Sequence, residues 1–313
     1  MKAFKKKTEE PSVTFPYHSL LKDERMDTLR EPRTFLAINV NGIRAALKKG
    51  LIPFLLEQNP DVICMSETKV GALAYQSFIQ TEGKSISNEE LPEIIPGYRH
   101  IFACSSARQG YASTAIFVKR GIRVIDFASS IGDSLVDTEG RYIRIAFSSF
   151  DLIHVYVPNS GRGAKKKPSF KPSFLSERLE YERLIRNHIN ELQQRGRQVI
   201  YCGDLNVAHT PRDIHNPKGN ENSPGYTEEE RIAMTQLLQG CGLVDTFRRL
   251  HPGLVKYSWF SNFGNSRENL LGWRIDYFLV SNQLFERVVE SDIIDEKRYF
   301  SDHTPITMTL KND

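Results

Sequence analysis

Polar side chains capable of catalysis or metal binding follow several apolar runs of this 313-residue sequence. With their runs, they are Asn39 and Asn41 (FLAINVN), Glu67 (VICMSETK), Tyr156 and Asn159 (HVYVPNSGRG), Asp204, Asn206 and His209 (VIYCGDLNVAH), Asp276 (GWRIDYF), and Asp302 and His303 (FSDHTP). If the runs are strands that lie side by side, these side chains converge on one rim of the sheets. Oxygen donors with a few waters are what Mg²⁺ prefers, and such sites usually work with substrate phosphates. The pattern therefore predicts a magnesium site that acts on phosphate groups.

Each of these residues also has a structural interpretation when it is taken alone. Glu67 could cap the helix that follows it, and Asp204 and Asn206 could form an Asx-turn. We interpret His154 and His209 as structural, on a sheet surface or at the entry to a helix. Six polar strand ends together are harder to explain as six separate caps, so we favour a shared site. A nucleophilic serine or cysteine site, a P-loop and a dinucleotide fingerprint have no support, because their motifs are absent.

The segments that must position this site alternate between strand-like and helix-like patterns. Short β-branched or aromatic runs predict strands at 35–40, 61–67, 113–119, 141–147, 151–157, 198–205, 274–281 and 305–310, with a hairpin through Ser148–Ser149. Helical spacing predicts helices at 45–58, 176–194 and 227–240, the last with a capping box of Thr227 and Glu230. The segments 71–97 and 160–175 look like long loops. We therefore expect an α/β fold in which two mixed sheets pack together with helices outside.

Composition narrows the class of protein. The net charge is +4 and 40% of the residues are hydrophobic, which is typical of a globular protein. The apolar runs are far shorter than the ~18 residues of a membrane span. Four cysteines without a CxxC pair favour a reducing compartment over a disulfide scaffold or a zinc site. We expect a flexible tail at 1–33, without a secretory signal, and a single domain at 34–313. The lysines of the tail could be a nuclear address or an arm that binds nucleic acid. We expect a nuclear location, with mitochondrial and cytoplasmic locations as alternatives.

Eight motifs then carry a family resemblance. In order, they are NVNGIRA (39–45), SETK (66–69), EGRYI (139–143), YVPNSGRG (156–163), CGDLNVAH (202–209), NPKGN (216–220), GWRIDYF (272–278) and SDHTPI (301–306). The sequence resembles the exonuclease III type of apurinic/apyrimidinic (AP) endonuclease, within the endonuclease/exonuclease/phosphatase superfamily. The resemblance implies a four-layer α/β sandwich and Mg²⁺-dependent hydrolysis, with Mn²⁺ as a substitute. The bond cleaved would be the phosphodiester 5′ to an abasic site in double-stranded DNA, and 3′-exonuclease or 3′-phosphodiesterase activity could accompany it.

The resemblance also implies which residues bind the metal. Glu67 would hold Mg²⁺, Asp302 and Asn41 would lie near the metal or its waters, and Asn39 would brace this network. Some family members have Asp at the position of Asn41. The amide removes one negative charge and so argues against a tightly bound second metal. Ser66 replaces the usual Gln, and we expect little consequence.

The same resemblance implies which residues activate water and bind the phosphate. Asp204 would activate or orient the attacking water, and Asn206 would position it. His303, oriented and charged by Asp276, would bind a phosphate oxygen as an electrostatic clamp. Further hydrogen bonds to the phosphate would come from Asn159 and Tyr156.

Substrate selection is assigned by the resemblance to aromatic and basic residues. Trp259, Trp273 and Ile275 would form a small apolar pocket for a flipped-out abasic sugar. Arg162 and Phe263 would insert into the duplex from its two grooves, although Phe263 departs from the usual residue type. Phosphate contacts would come from Arg44, Lys48, Lys49, Lys165, Lys166, Lys167 and Lys171, which could equally be solvated basic residues.

Two other hypotheses are weighed against this one. A phosphodiesterase for RNA, lipid or inositol phosphates would need the same metal site with a different pocket, and Trp273 and the NPKGN motif count against it. A nucleic-acid-binding protein that has lost catalysis would show gaps among the catalytic residues, and the sequence has none. We expect abasic double-stranded DNA as the partner, no membrane association and a monomer.

Overall fold

The computed structural model describes residues 29–83, 93–161, 174–294 and 298–311. Its strands are β1 (Thr34–Asn39), β2 (Val62–Ser66), β3 (Tyr98–Ala103), β4 (Thr114–Lys119), β5 (Asp126–Ala128), β6 (Tyr142–Ala146), β7 (Phe150–Tyr156), β8 (Gln198–Asp204), β9 (Leu243–Asp245), β10 (Trp259–Phe260), β11 (Gly272–Trp273), β12 (Asp276–Ser281), β13 (Val288–Ile293) and β14 (Ile306–Leu310). Its α-helices are α1 (Ile43–Lys48), α2 (Leu51–Gln58), α3 (Tyr75–Glu82), α4 (Ser134–Asp137), α5 (Leu175–Gln194), α6 (Glu228–Gly240), α7 (Thr246–Leu250) and α8 (Asn282–Phe285). None of these helices is long and apolar enough to cross a membrane.

The strands form two six-stranded sheets and a short ribbon. The first sheet has the order β13-β14-β1-β2-β4-β3, the second has the order β5-β6-β7-β8-β12-β9, and β10 pairs with β11. Each six-stranded sheet has one parallel pair at its centre, β1 with β2 and β7 with β8, and its other pairs are antiparallel. The predicted fold of two mixed sheets flanked by helices is confirmed.

Successive side chains of each strand point to opposite faces of its sheet, so each sheet contributes to two hydrophobic cores. In β1, Phe35 and Ala37 belong to the core between the sheets, whereas Leu36 and Ile38 belong to the core under α1, α2 and α3. The second sheet has the same arrangement and packs its outer face against α5 and α6. Because both faces of the central strands are covered, these strands are nearly continuous apolar runs, which is why they were recognisable in the sequence.

All eight predicted strands are present, and so is the hairpin between β6 and β7. The predicted helix at 45–58 is instead two helices, because the chain turns at Gly50, where φ is +86°. The predicted loop at 71–97 is wrong in part, because it contains α3, whose Phe78 and Ile79 are buried in the outer core. Most of the predicted loop at 160–175 lies outside the described residues.

Candidate active site

The carboxyl ends of the central strands of both sheets lie together, and the polar residues there form the floor of the candidate site. Asn39 ends β1, Tyr156 ends β7, Asp204 ends β8, and Glu67 directly follows β2. The Asn39 amide donates hydrogen bonds to Asp204 Oδ2 (2.9 Å) and Glu67 Oε2 (3.2 Å). The Tyr156 hydroxyl donates to the same Glu67 oxygen at 3.0 Å. The expected convergence of polar strand ends is therefore present.

A charged cluster stands beside this floor. Asp276 lies opposite Asp204 in the β8–β12 pairing, and Asp276 Oδ2 is 2.8 Å from His303 Nδ1. The second ring nitrogen, Nε2, is 3.8 Å from Asp204 Oδ2. Burial lowers the pKa of His303, but Asp276 and Asp204 outweigh it and raise that pKa to about 10. The imidazole is therefore a cation at neutral pH, held in orientation by Asp276.

For the Asp204 carboxyl, burial has the largest effect on the pKa. Burial raises its pKa to about 7, with Asp276 adding to the rise, while His303 and the hydrogen bond from Asn39 oppose it. A carboxyl with a pKa near neutrality can accept a proton at neutral pH, which a general base must do. The geometry thus gives Asp204 and His303 different charge states and different chemical roles.

Oxygen donors collect on the other side of the floor. Asp302 accepts hydrogen bonds from the Asn41 amide (3.1 Å) and from Trp259 Nε1 (3.1 Å). Although burial raises the pKa of Asp302, the His303 charge and these hydrogen bonds outweigh it and keep that pKa below its usual value. The ammonium of Lys69 lies 3.2 Å from Glu67 Oε1 and hydrogen-bonds to Asn41 Oδ1. This corner therefore already attracts a positive charge, and its all-oxygen donor set can hold a hard metal ion.

Two asparagines connect the floor to the neighbouring loops. The Asn206 backbone N–H donates to Asp204 Oδ1 at 2.9 Å, so the structural interpretation of this pair as an Asx-turn also holds. The Asn206 side chain donates to Val157 O and accepts from Asn159 Nδ2 at 3.0 Å. Asn206, Asn41 and Glu67 all have positive φ angles. Such non-glycine conformations cluster at functional sites.

A cavity of about 400 Å³ opens directly above this floor. Trp259 and Trp273 face each other across the β10–β11 ribbon with ring centroids 5.9 Å apart, and Ile275 lies beside them. A further wall is a loop that contributes Asn220, Ser223, Pro224 and Gly225, none of which was a predicted site residue. Gly225 lies close to the Trp273 ring. The NPKGN motif ends at Asn220 and was the available signal for this wall. Lys69 was missed as well, although it closes the SETK motif.

Some predicted residues lie away from the cavity. Asp276 stands behind His303 and does not line the cavity. The guanidinium of Arg44 lies 5.0 Å above the Phe78 ring, and Phe263 is 84% exposed. Arg162 and the four lysines that follow it lie outside the described residues.

The two histidines interpreted as structural do not line the cavity either. His154 lies on β7, where it is fully buried, and its Nε2 is 3.5 Å from Ser66 Oγ. His209 precedes a 3₁₀ turn and hydrogen-bonds to Thr235.

Comparison with known proteins agrees with this geometry. A family model described as the endonuclease/exonuclease/phosphatase family matches residues 36–303. The exodeoxyribonuclease of Bacillus subtilis (strain 168) is 34% identical over 274 residues, which cover 87% of this chain and 97% of that protein. Recombination repair protein 1 of Drosophila melanogaster is 38% identical over 274 residues, but the match covers 86% of this chain and only 36% of that protein.

A solved structure is also similar. The crystal structure of the AP endonuclease LMAP from Leishmania major superposes with a TM-score of 0.77 and 26% identity, covering 90% of this chain and 89% of that one. The family match at residues 36–303 includes the residues of the floor described above and all of the second sheet. On the strength of the family match and the Bacillus relative, this chain belongs to the endonuclease/exonuclease/phosphatase family.

Proposed function

We propose that this protein is a DNA-repair AP endonuclease that hydrolyses the phosphodiester 5′ to an abasic site and leaves a 3′-hydroxyl. The observation that carries the proposal is the position of the aromatic cavity, because Trp259, Trp273 and Ile275 share one opening with Asp204 and His303. A sugar bound against the tryptophans would bring its 5′ phosphate to the catalytic floor. The similarity to an AP endonuclease structure and to an exodeoxyribonuclease supports DNA as the substrate.

The proposed cofactor is Mg²⁺. Glu67, Asp302 and Asn41 would hold it, because the oxygens of Glu67 and Asn41 now contact the Lys69 ammonium and Asp302 is hydrogen-bonded to the Asn41 amide. The bound ion would neutralise charge that develops on the phosphate and on the leaving oxygen. Asn39 would keep the Glu67 carboxylate in place through its 3.2 Å hydrogen bond.

The remaining polar residues would work on water and phosphate. Asp204 would accept a proton from the attacking water, which Asn206 would position from the neighbouring turn. The His303 cation would bind a non-bridging phosphate oxygen, and Asp276 would preserve its charge and orientation. Asn159 and the Tyr156 hydroxyl would donate further hydrogen bonds to the phosphate.

Selection for abasic sites would come from the size and shape of the cavity. A nucleotide with its base removed costs less to flip out of the duplex and leaves a bare sugar to pack against the aromatic rings. A complete nucleotide would have to fit its base into the same cavity, whose lining also includes Pro224 and Gly225. Arg162 and the exposed Phe263 would hold the duplex open, and Arg44 would contact its backbone.

A second activity is favoured by the Bacillus relative, whose name is exodeoxyribonuclease. A 3′-exonuclease would use the same floor on the last phosphodiester of a strand. A 3′-phosphodiesterase would remove damaged sugar fragments from that end. Both activities require the terminal residue to enter the cavity, so they should depend on the same Trp273 wall.

The test is a gel assay on duplex DNA that carries one tetrahydrofuran abasic analogue in a labelled strand. We expect a single cut 5′ to the analogue when Mg²⁺ is present. Mn²⁺ should support cleavage better than other substitute divalent ions do, and no cleavage should occur in chelator. An intact duplex and a duplex with a labelled 3′ end separate endonuclease from exonuclease activity. A folded protein that leaves the abasic duplex uncut, or that cuts equally well in chelator, contradicts the proposal. Nuclear location and a monomeric state stay predictions.

A further inference from the structure

A buried ion pair lies behind the cavity and outside its lining. Arg178 on α5 and Glu230 on α6 are both 0% exposed, and Arg178 Nε is 3.2 Å from Glu230 Oε1. A buried ion pair contributes little net stability, because desolvation of the two charges offsets their attraction. Glu182 also pairs with Arg178, at 3.0 Å, so three charged groups lie here. The stability of the fold therefore does not explain why they are placed together. Their other contacts suggest a different reason.

Glu230 holds two loops in addition to capping its own helix. It completes the predicted capping box with Thr227, whose backbone N–H and hydroxyl donate to Glu230 Oε2 at 3.1 and 2.9 Å. The same oxygen accepts the backbone N–H of Gly225 at 2.8 Å, and Oε1 accepts the Ser160 hydroxyl at 2.7 Å. Gly225 belongs to the cavity wall, and Ser160 directly follows Asn159.

Arg178 holds the two loops that carry the catalytic asparagines. Its Nη1 donates to Pro158 O at 2.9 Å, and its Nη2 donates to Leu205 O at 2.8 Å. Pro158 directly precedes Asn159, and Leu205 directly precedes Asn206. One planar guanidinium thus fixes two carbonyl groups at a set separation, which the point charge of a lysine would not do.

The geometry of Gly225 shows how tightly the wall is held. Its φ is +88°, and a Cβ placed there would lie 3.0 Å from the Asn206 carbonyl oxygen and 3.2 Å from the Trp273 ring. The hydrogen bond from Gly225 to Glu230 therefore holds the cavity wall close to both the Asn206 backbone and the Trp273 ring. A shift of this backbone would move both of them.

We propose that the Arg178–Glu230 pair is a positioning device that sets the distance between the catalytic asparagines and the pocket wall. The inference rests on the proposed function and extends it to two residues that contact neither the DNA nor the metal in that proposal. Glu230 acts through its hydrogen bonds from Ser160 and Gly225. Arg178 acts through its hydrogen bonds to the carbonyl groups of Pro158 and Leu205. Loss of the pair should misplace Asn159 and Asn206 while the Asp204, Asp276 and His303 cluster stays intact.

The experiment compares Glu230→Gln with the same kind of change at a buried, ion-paired carboxylate far from the site. Asp151 is also 0% exposed and accepts from Arg144 and Arg197 at 2.6 Å each, but it lies five residues before Tyr156, roughly 16 Å away along β7. We expect both Glu230→Gln and Asp151→Asn to lower the melting temperature. Only Glu230→Gln should lower the kcat on saturating abasic duplex, by roughly 10- to 100-fold, as expected for a displacement of about 1 Å. Equal kcat values for Glu230→Gln and wild type would overturn the inference.

A double-mutant cycle separates positioning from general destabilisation. If Glu230 acts through the asparagine loops, Glu230→Gln should cost less than about threefold in kcat once Asn206→Ala is already present. Fully additive losses would contradict the inference. If Glu230→Gln does not fold, Ser160→Ala removes a single hydrogen bond from the same device and must lower kcat without lowering DNA affinity. An inactive wild-type enzyme would instead refute the proposed function, so the two failures are distinguishable.

Discussion

The side-chain amide of Asn39 donates a 2.9 Å hydrogen bond to Oδ2 of Asp204 and so joins the end of one sheet to the end of the other. The same amide nitrogen lies 3.2 Å from Glu67, the first of the proposed metal ligands. A single side chain therefore connects the metal side of the site to the proposed base. Because the hydrogen bond favours the charged form of Asp204, it opposes the rise in pKa that burial causes.

Replacement Asn39→Ala should therefore shift the pH dependence of cleavage. Without the hydrogen bond, the pKa of Asp204 rises further above its present value of about 7, so a higher pH is needed to deprotonate the base. The acidic limb of the kcat profile should move to higher pH, measured under single turnover at saturating Mg²⁺. Asn159→Ala is the control, because Asn159 makes no hydrogen bond to Asp204 in the described residues and should lower the rate without moving the limb. An unmoved limb in Asn39→Ala would argue against Asp204 as the base.

Replacement Asp204→Asn should abolish most turnover while DNA binding is kept. A positioned general base typically contributes about 10²–10⁴-fold to the rate, whereas binding depends on phosphate contacts distributed over the surface. Single-turnover kinetics and a binding titration on the same abasic duplex measure the two quantities. A variant that binds much more weakly but cleaves its bound DNA at the normal rate would show that the assigned role is wrong.

Replacement Trp273→Ala should relax the discrimination between abasic and intact nucleotides. Loss of one aromatic contact at a nucleic-acid site costs on the order of 1–3 kcal/mol, and the wider cavity admits a larger group. The ratio of kcat/KM for abasic over intact duplex should fall by roughly one to two powers of ten, with unchanged metal dependence. Thermal melting checks that the variant folds. An unchanged ratio in a folded variant would place substrate selection elsewhere.

The acid stability of the fold should depend on Asp213. Burial raises the pKa of Asp213, but Arg274 and Arg248 outweigh it and lower that pKa to about 2. Since the unfolded-state pKa is near 3.9, the carboxylate stabilises the fold above that value and loses this contribution as the pH falls toward 2. The free energy of unfolding of the wild type should therefore lose about 2 kcal/mol more than that of Asp213→Asn over this range.

Urea unfolding at a series of pH values measures this difference. Asp126→Asn is a suitable control, because the Asp126 carboxylate is 61% exposed and an exposed ion pair contributes little. Parallel pH dependence in the wild type and in Asp213→Asn would show that Asp213 titrates normally in the folded protein.

Local patterns were sufficient to predict several elements. The central strands β1, β2, β7 and β8 are apolar runs because both of their faces are buried, and the polar residues at their ends mark where the core stops. The Thr227–Glu230 capping box depends on residues three apart, so its spacing alone predicted the start of α6. The strands β3, β5, β9, β10, β11 and β13 were not predicted. β14 pairs with β1 from the other end of the chain, and β12 pairs with β8 from about 70 residues earlier, so local periodicity does not encode this order.

The residue types that can do the chemistry, and their places at strand ends, can be recognised in the sequence alone. The contacts that hold these residues together depend on the three-dimensional fold. Asn39 reaches Asp204 across 165 positions of sequence, and Ser160 reaches Glu230 across 70. Glu230 has a complete local role as a helix cap, so nothing in its neighbourhood signals that it also holds the cavity wall. Such contacts depend on the packing of two sheets whose helices and loops must bury their surfaces together, and that packing is a property of the whole chain.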